Sequence, residues 1–340
     1  MTKQDFPEAL LKPPIARAAY SDRTAWIMAE LSRIAYIRFE GKENRLEQAI
    51  EALTALSDKA AIAKTLKTFL TENTQSSNKE MAKLSQEVNS LKYVISNTFN
   101  VGGTQAILVT GEADKIAVLA FRGTEKDFRD IKTDLNARFY TNSDGTKVHS
   151  GFRDAYALIK DQVTEAVNEL KDYKLYITGH SLGGALALIA TRDLNSDCIS
   201  ACYTFGSPRV GNVEFGEDIK PPIYRVVNAA DVVPHVPPSY IVDGTYFVLR
   251  LLPESLILVK PAKVFIKGFM GYRHHGDMRF LTACKADYSN LKLRSNPDLF
   301  DRLGSWIKRV ITNKKAGFTD HGIANYCNKL KAYAIKRIAL

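Results

Sequence analysis

The spacing of apolar residues changes once along the chain, from a helical period to short strand-like runs. Apolar side chains recur every three to four positions over 26–35 and again over 46–70, as on one face of a helix. A polar run at 71–78 interrupts this period, which resumes over 79–90. The pattern therefore predicts an N-terminal helical region spanning residues 1–92.

From residue 93 the apolar residues form short β-branched and aromatic runs, bounded by glycine turns. These runs predict strands at 93–96, 105–110, 115–121, 174–178, 201–205 and 223–228, with helices at 152–170 and 184–190. Antiparallel strands followed by alternating strands and helices are typical of an α/β protein with a mostly parallel central sheet flanked by helices. The functional groups of such a sheet lie at the carboxyl ends of its strands. We predict one such domain over 93–340, with the N-terminal helices packed on it.

The stretch Gly179-His180-Ser181-Leu182-Gly183 lies between a predicted strand and a predicted helix. A serine in a sharp strand-to-helix turn forms a nucleophile elbow, and glycines at i−2 and i+2 avoid collisions with the neighbouring backbone. The hydroxyl then projects at a helix N-terminus, where free backbone N–H groups can stabilise an oxyanion. We therefore predict Ser181 as a nucleophile.

An activated serine needs a base within hydrogen-bond reach and a carboxylate that orients this base. After a nucleophile elbow the acid comes first along the chain and the histidine second. Asp231 is the favoured acid because it follows the carboxyl end of the predicted strand at 223–228, whereas Asp243 and Asp277 lie in less defined loops.

Four histidines follow the elbow and are candidates for the base. His321 is favoured because it lies in a loop that leads into the final predicted helix, from which an imidazole can enter between the serine and the acid. Spacing alone leaves His235, His274 and His275 open.

Two backbone donors are candidates for an oxyanion hole. The first is the N–H of Leu182, directly after the nucleophile. The second comes from Thr124, which follows the predicted strand ending at Phe121 and offers both its amide and its hydroxyl.

Composition limits the classes of protein to which this chain can belong. A chain of 340 residues with 45% apolar content can bury a large core. No secretory signal and no uncharged apolar span of bilayer length is recognisable, which predicts a cytoplasmic protein unless a signal-independent route exports it. The four cysteines have neither metal-site nor disulfide-scaffold spacing.

The net charge of +10 is concentrated near the end of the chain. Residues 304–340 contain eight Lys or Arg and a single acidic residue, Asp320. A basic surface suits an anionic membrane, and the lack of a zinc knuckle, an RNP-like strand or a phosphate loop argues against nucleic acid.

Six ordered motifs between residues 121 and 326 resemble the class 3 lipase family, the fungal-type triacylglycerol lipases and their relatives. The motifs are Phe121-Arg122-Gly123-Thr124, Val148-His149-Ser150-Gly151-Phe152, the elbow with its flanks at 178–187, the loop at 204–212, Asp231-Val232-Val233-Pro234, and Asp320-His321 followed by Tyr326. The resemblance implies the α/β-hydrolase fold and the hydrolysis of a lipid ester through an acyl-enzyme, without a metal or an organic cofactor.

The resemblance also implies a role for each matching residue. It assigns Ser181 as nucleophile, Asp231 as orienting acid, His321 as base, Thr124 and Leu182 as oxyanion donors, and His149 and His180 as residues lining the site. It demotes His274, whose surroundings resemble a structural segment of the family.

Two segments depart from the family pattern. Where the family has a short amphipathic lid, residues 125–131 carry five charges, which puts interfacial activation by this lid in doubt. An apolar and basic insertion at about 241–273 has two open interpretations: core strands of the sheet, or an acyl-chain wall that contacts a membrane or lipid-droplet surface.

The leading functional prediction is a triacylglycerol lipase or carboxylesterase. A phospholipase A1 or galactolipase acting on anionic membranes, including an exported effector, is the alternative enzyme. A catalytically silent lipid-binding relative is the alternative from another class, against which the intact Ser181, Asp231 and His321 argue.

Overall fold

A mixed eight-stranded sheet forms the centre of the structure, a computed structural model that describes residues 7–11, 18–39, 79–123, 139–237, 245–247, 249–251, 263, 270–313 and 316–338. Its strands are β1 (Val94–Val101), β2 (Thr104–Gly111), β3 (Ile116–Phe121), β6 (Lys174–His180), β7 (Ile199–Phe205), β8 (Ile223–Asn228), β9 (Asp277–Leu281) and β10 (Leu293–Ser295). A separate hairpin comprises β4 (Phe139–Thr141) and β5 (Lys147–His149).

The strands lie side by side in the order β1-β2-β3-β6-β7-β8-β9-β10. The strands from β3 to β9 within this sheet are parallel to one another, while β1, β2 and β3 pair antiparallel, as do β9 and β10. The predicted fold class is confirmed: antiparallel N-terminal strands precede a mostly parallel sheet of the α/β-hydrolase type.

Helices cover both faces of this sheet. They are α1 (Asp22–Ile34), α2 (79–90), α3 (Ser150–Ala157), α4 (Lys160–Asn168), α5 (Leu182–Leu194), α6 (Val213–Glu217), α7 (Leu299–Thr312), α8 (Ala316–Thr319) and α9 (Ile323–Ile338). Short 3₁₀ turns occur at Glu8–Leu10 and Val233–His235.

Helices α1 and α9 pack against each other and bury one face of the sheet. The side chain of Ser21 caps α1 by accepting a hydrogen bond from Thr24 N at 3.4 Å, and Trp26 is fully buried. Helix α5 packs on the opposite face against β3, β6 and β7, and α3 packs on α5. The site at the start of α5 is thus held between two hydrophobic layers.

One predicted helix differs from its observed form. The helical pattern at 152–170 is divided into α3 and α4, and the break falls at Leu158 and Ile159. Ile159 is fully buried in the core while Leu158 is exposed, so the break allows Ile159 to join the hydrophobic layer under the sheet.

Several predicted features lie outside the described residues: the helical period at 46–70, Thr124, the charged segment at 125–131 and most of the insertion at 241–273. Within that insertion, residues 245–247 and 249–250 are helical, and Phe247 and Leu251 are exposed. The division of the chain at residue 92 stays a prediction.

Within the described ranges, every helix is too short or too polar to cross a lipid bilayer.

Candidate active site

Ser181 lies in the sharp turn between strand β6 and helix α5. Its backbone has a φ of 56° and a ψ of −127°. A residue with a side chain adopts a positive φ only at some energetic cost, and such strain is concentrated at functional sites. The strained turn separates the serine from both the strand and the helix, as a nucleophile elbow requires.

The two glycines of the elbow are required by close backbone contacts. A Cβ atom at Gly179 would lie 2.1 Å from the carbonyl oxygen of Gly183, and a Cβ atom at Gly183 would lie 2.3 Å from the carbonyl oxygen of Phe121. Any side chain at either position would therefore push the first turn of α5 away from β6 or β3.

A continuous series of hydrogen bonds joins Ser181, His321 and Asp231. His321 Nε2 lies 3.0 Å from Ser181 Oγ, and His321 Nδ1 lies 3.0 Å from each carboxylate oxygen of Asp231. Because the ionised carboxylate can only accept, Nδ1 carries the proton, and Nε2 of the neutral ring accepts from the serine hydroxyl. The structure thus brings together the three residues that the motifs single out.

The other candidate histidines are engaged elsewhere. His274 contacts the carbonyl oxygen of Pro234 through Nε2 at 2.6 Å, and the ring of His275 lies 5.5 Å from that of Phe215. His235 lies in the 3₁₀ turn that follows the acid, with its backbone N–H bonded to Val232 O.

Asp231 is buried, and two further donors saturate its carboxylate. The hydroxyl of Tyr326 donates to Oδ2 at 2.5 Å, and the backbone N–H of Val233 donates to Oδ1 at 2.9 Å. Burial and the charge of Asp231 raise the pKa of Tyr326 well above its usual value, so the phenol keeps its proton. Since buried charges need hydrogen-bond partners, these contacts make an ionised carboxylate tenable here.

Gly206 provides the space in which this carboxylate lies. Its φ is 56°, and a Cβ atom on it would lie 2.5 Å from Asp231 Oδ2 and 3.1 Å from His321 Nδ1. Even the methyl group of an alanine at this position would collide with Asp231 and crowd His321. The glycine at the end of β7 is therefore part of the site, although it carries no functional group.

His180 supports the backbone of His321 from below. Its Nε2 lies 2.6 Å from the carbonyl oxygen of His321, and Tyr36 OH lies 2.8 Å from its Nδ1. Burial, with a smaller contribution from His321, lowers the pKa of His180 well below its usual value. The ring is neutral, donates to the carbonyl through Nε2 and accepts from Tyr36 through Nδ1.

Asp320 connects the loop of the base to the loop of the acid. Its buried carboxylate forms an ion pair with Arg309 at 2.9 Å and accepts from the backbone N–H of Ala230 at 3.2 Å. Its own carbonyl oxygen accepts from the side chain of Asn228 at 3.0 Å. These bonds fix the relative positions of Asp231 and His321, because Asp231 directly follows Ala230 and His321 directly follows Asp320.

His149 lies at the start of α3, where Nδ1 accepts from the backbone N–H of Phe152 at 3.4 Å. Its ring stacks on that of Phe152 with centroids 3.9 Å apart, and its backbone N–H donates to the carbonyl oxygen of Val210. Its described contacts are with this scaffold rather than with Ser181, Asp231 or His321. A role for His149 in lining the site stays a prediction.

The two predicted oxyanion donors differ in what the structure describes. The N–H of Leu182 is at the first position of α5, where a helix has no internal acceptor for it. Thr124 lies outside the described residues. The backbone of Arg122, two residues before Thr124, lies against the elbow: its carbonyl carbon would be 2.8 Å from a Cβ atom on Gly183.

Sequence reasoning missed Tyr36, Arg309 and the anchoring role of Asp320. Gly206 lies in the recognised loop motif at 204–212, and Tyr326 and Asp320 belong to the last motif, so these motifs could have indicated their contacts. Tyr36 is separated from His180 by 144 positions, and no local signal connects the two.

Residues 118–241 match the family model described as lipase (class 3). The chain is 36% identical over 151 residues to a lipase of Rhizomucor miehei, a match covering 40% of this chain and 41% of that lipase. It is 34% identical over 139 residues to a secreted mono- and diacylglycerol lipase of Malassezia restricta, covering 35% and 46%. The chain thus spans less than half the length of these curated relatives, and the resemblance to class 3 lipases is confirmed over the matched region.

Solved structures of lipases are also similar to this chain. The Rhizomucor miehei lipase propeptide complex is 24% identical, covers 70% of this chain and 68% of its own, and gives a TM-score of 0.48. A triacylglycerol lipase described as having a serine protease triad at its catalytic centre is 26% identical, covers 69% and 82%, and gives a TM-score of 0.49.

The expectation of a cytoplasmic location is wrong. Relatives from Malassezia restricta and Fusarium solani are named secreted lipases, and this finding contradicts the expectation. The expectation rested on the lack of a recognisable secretory signal, which is not itself evidence for the cytoplasm.

Five of the six histidines have a lowered pKa in the folded protein, which predicts a loss of stability in mild acid. Burial is the largest cause in each case; it lowers the pKa of His149 and His275 to about 4 and also depresses the pKa of His180, His235 and His274. Unfolded histidine titrates near 6.5. Between about pH 6.5 and 4 the unfolded chain therefore binds protons that the native state does not, and stability falls as the pH falls.

His149→Asn tests this effect, because asparagine keeps an acceptor at the start of α3 and does not titrate. Urea denaturation at pH 7 and pH 5 should show that the parent loses more unfolding free energy than the variant, by about 2 kcal/mol. Equal losses in the two proteins would contradict the assignment of His149 as a buried neutral group.

Proposed function

We propose that this chain, whose residues 118–241 match the class 3 lipase model, is a serine hydrolase cleaving carboxylic esters of lipids. The observation that carries the proposal is the hydrogen-bond series from Ser181 through His321 to Asp231, with contacts of 3.0 Å at each step. This geometry suits a hydroxyl that must lose its proton while attacking a carbonyl carbon.

In the first half of the reaction, Ser181 Oγ attacks the ester carbonyl carbon while His321 Nε2 takes the hydroxyl proton. The carbonyl oxygen becomes an oxyanion that accepts from the N–H of Leu182 and from Thr124. The bond to the alcohol oxygen then breaks, the alcohol leaves with the proton from His321, and the acyl group remains on Ser181. One oxyanion donor typically contributes about 3 kcal/mol to the lowering of the barrier.

In the second half, a water molecule takes the place of the alcohol. His321 accepts a proton from this water as it attacks the acyl carbon, and returns the proton to Ser181 Oγ when the fatty acid leaves. Asp231 remains ionised throughout, holds the Nδ1 tautomer and stabilises the imidazolium formed at each attack.

Tyr326 is a positioning residue in this scheme, because it acts on the substrate only through Asp231. Its hydroxyl also accepts from the backbone N–H of Asn228 at 3.1 Å, so it attaches the carboxylate to the end of β8. His180 acts in the same indirect way through the carbonyl oxygen of His321, and Asp320 acts through the N–H of Ala230, the neighbour of Asp231.

We propose acylglycerols as the substrate class. Matched relatives of Malassezia and Fusarium are named mono- and diacylglycerol lipases, which favours neutral glycerides over the phospholipid alternative. The intact hydrogen-bond series argues against a silent lipid-binding protein. Peripheral contact with a lipid surface follows from a substrate that is insoluble in water.

Ser181→Ala should abolish hydrolysis, because no other group replaces the attacking oxygen. The expected fall in kcat/KM is on the order of 10⁴- to 10⁶-fold, measured with p-nitrophenyl butyrate and with emulsified dioleoylglycerol. Ser200→Ala, which removes another buried serine hydroxyl in β7, is the matched control and should stay within about twofold. Equal activity of Ser181→Ala and its parent would exclude this serine, and an inactive parent would favour the lipid-binding alternative.

Tyr326→Phe removes one hydrogen bond to the Asp231 carboxylate and leaves those from His321 and Val233 in place. A bond to a charged group contributes about 1.5–3 kcal/mol, so kcat should fall by about 10- to 100-fold while KM changes little. Tyr272→Phe, at another buried tyrosine, is the control and should keep its kcat. A Tyr326→Phe enzyme with the parent's kcat would show that Asp231 does not need this donor.

A further inference from the structure

Helix α7 presents a continuous apolar face that the described part of the molecule leaves uncovered. Although the helix has 14 residues, none of them is buried. Phe300 is 83% exposed and Ile311 is 78% exposed. Large exposed apolar patches on a folded protein mark sites of interaction with a membrane, a ligand or another protein.

The positions of these residues define two edges of one face. Phe300, Ile307 and Ile311 recur at i, i+7 and i+11, and all three project from the outer edge into solvent. Leu303 and Trp306 belong to the inner edge. A helix with one apolar stripe and one polar stripe is built to lie at a boundary between two media.

The inner edge continues into an apolar cavity of about 290 Å³ between α7 and the sheet. Trp306 and Leu303 form one wall of this cavity, while Val227 of β8 and Phe280 of β9 form the other. The helix therefore rests on the sheet by one edge only, and its outer edge is left for another partner.

The polar stripe of α7 is basic. It carries Arg302, Lys308 and Arg309 against Asp301, and Asp301 is paired with Arg294. Lys308 is exposed and forms no ion pair with any residue that the structure describes. A partner of this surface should therefore be apolar and anionic together.

The same helix is attached to the proposed catalytic histidine. Arg309 forms its ion pair with buried Asp320, the neighbour of His321. Phe318, three residues before His321, is also exposed. Whatever binds the outer edge of α7 is thus held close to the loop that carries the base.

We propose that α7 is an interfacial helix that inserts Phe300, Ile307 and Ile311 into an anionic lipid surface. Basic amphipathic helices with aromatic and aliphatic faces bind such surfaces in this orientation, with the polar stripe toward the headgroups. That such binding brings the site to its substrate rests on the proposed lipid hydrolase function. The binding itself does not rest on it.

Tryptophan fluorescence tests this assignment directly, because the chain has only two tryptophans. Trp26 is fully buried in the core, and Trp306 lies on α7. The probe is vesicles of phosphatidylcholine and phosphatidylglycerol with brominated acyl chains, added to the Ser181→Ala protein so that no lipid is consumed. We expect the vesicles to quench the fluorescence of Trp306. This quenching should disappear in Trp306→Phe and should be weaker with vesicles of phosphatidylcholine alone.

The substitution Phe300→Asp combined with Ile311→Asp should reduce the vesicle partition coefficient at least tenfold in co-sedimentation. The matched control is Val94→Asp, an exposed apolar residue on β1 at the opposite edge of the sheet, which should bind as the parent does. With Ser181 intact, the α7 variant and the Val94→Asp variant should both keep their activity on soluble p-nitrophenyl butyrate. Activity on emulsified glyceride should fall only in the α7 variant.

Unquenched Trp306, or equal vesicle binding by the α7 variant and its parent, would overturn the proposal. A dimer in sedimentation equilibrium that dissociates on Phe300→Asp, without any lipid binding, would assign the face to a second copy of the chain and overturn it as well. Quenching in a protein whose parent hydrolyses no ester would leave α7 as a lipid-binding helix and reject the proposed enzyme function.

Discussion

The buried carboxylate of Asp231 is the charge on which the arrangement of the site depends. Removing an ionised group from water is costly unless hydrogen bonds compensate it. Here compensation comes from three directions: the phenol of Tyr326 on α9, the backbone of Val233, and the imidazole of His321. Gly206 leaves the room for these contacts. A serine, a histidine and a carboxylate from three distant segments are therefore held in one line.

The sequence predicted best what is encoded locally. The strand, strained turn and helix around Ser181 are contiguous, and the two elbow glycines mark the close backbone contacts that the structure contains. The strand at 223–228 is observed with the predicted bounds, since its β-branched run is bordered by proline and by the loop of Asp231. The parallel order of the sheet followed from alternating strands and helices.

The pairings between distant segments could not be read from spacing. Residue patterns favoured His321 from its place in a loop but left His235, His274 and His275 open, and the family resemblance strengthened that choice. Tyr36 reaches His180 across 144 positions, and Arg309 reaches Asp320 only because α7 folds back on the base loop. These contacts depend on tertiary packing. The same packing turns an ordinary amphipathic stretch at 299–312 into an exposed face beside the site.

Covalent labelling with an alkyl fluorophosphonate, followed by peptide mass spectrometry, tests most directly whether Ser181 is an activated nucleophile. Attack by an activated serine oxygen forms an oxygen–phosphorus bond and releases fluoride, so the reaction reports the nucleophile independently of any lipid substrate. We expect a single adduct on Ser181, formed far more slowly in Asp231→Asn because the histidine tautomer is then lost. Labelling of a different residue, or an equal rate in Asp231→Asn, would contradict this expectation.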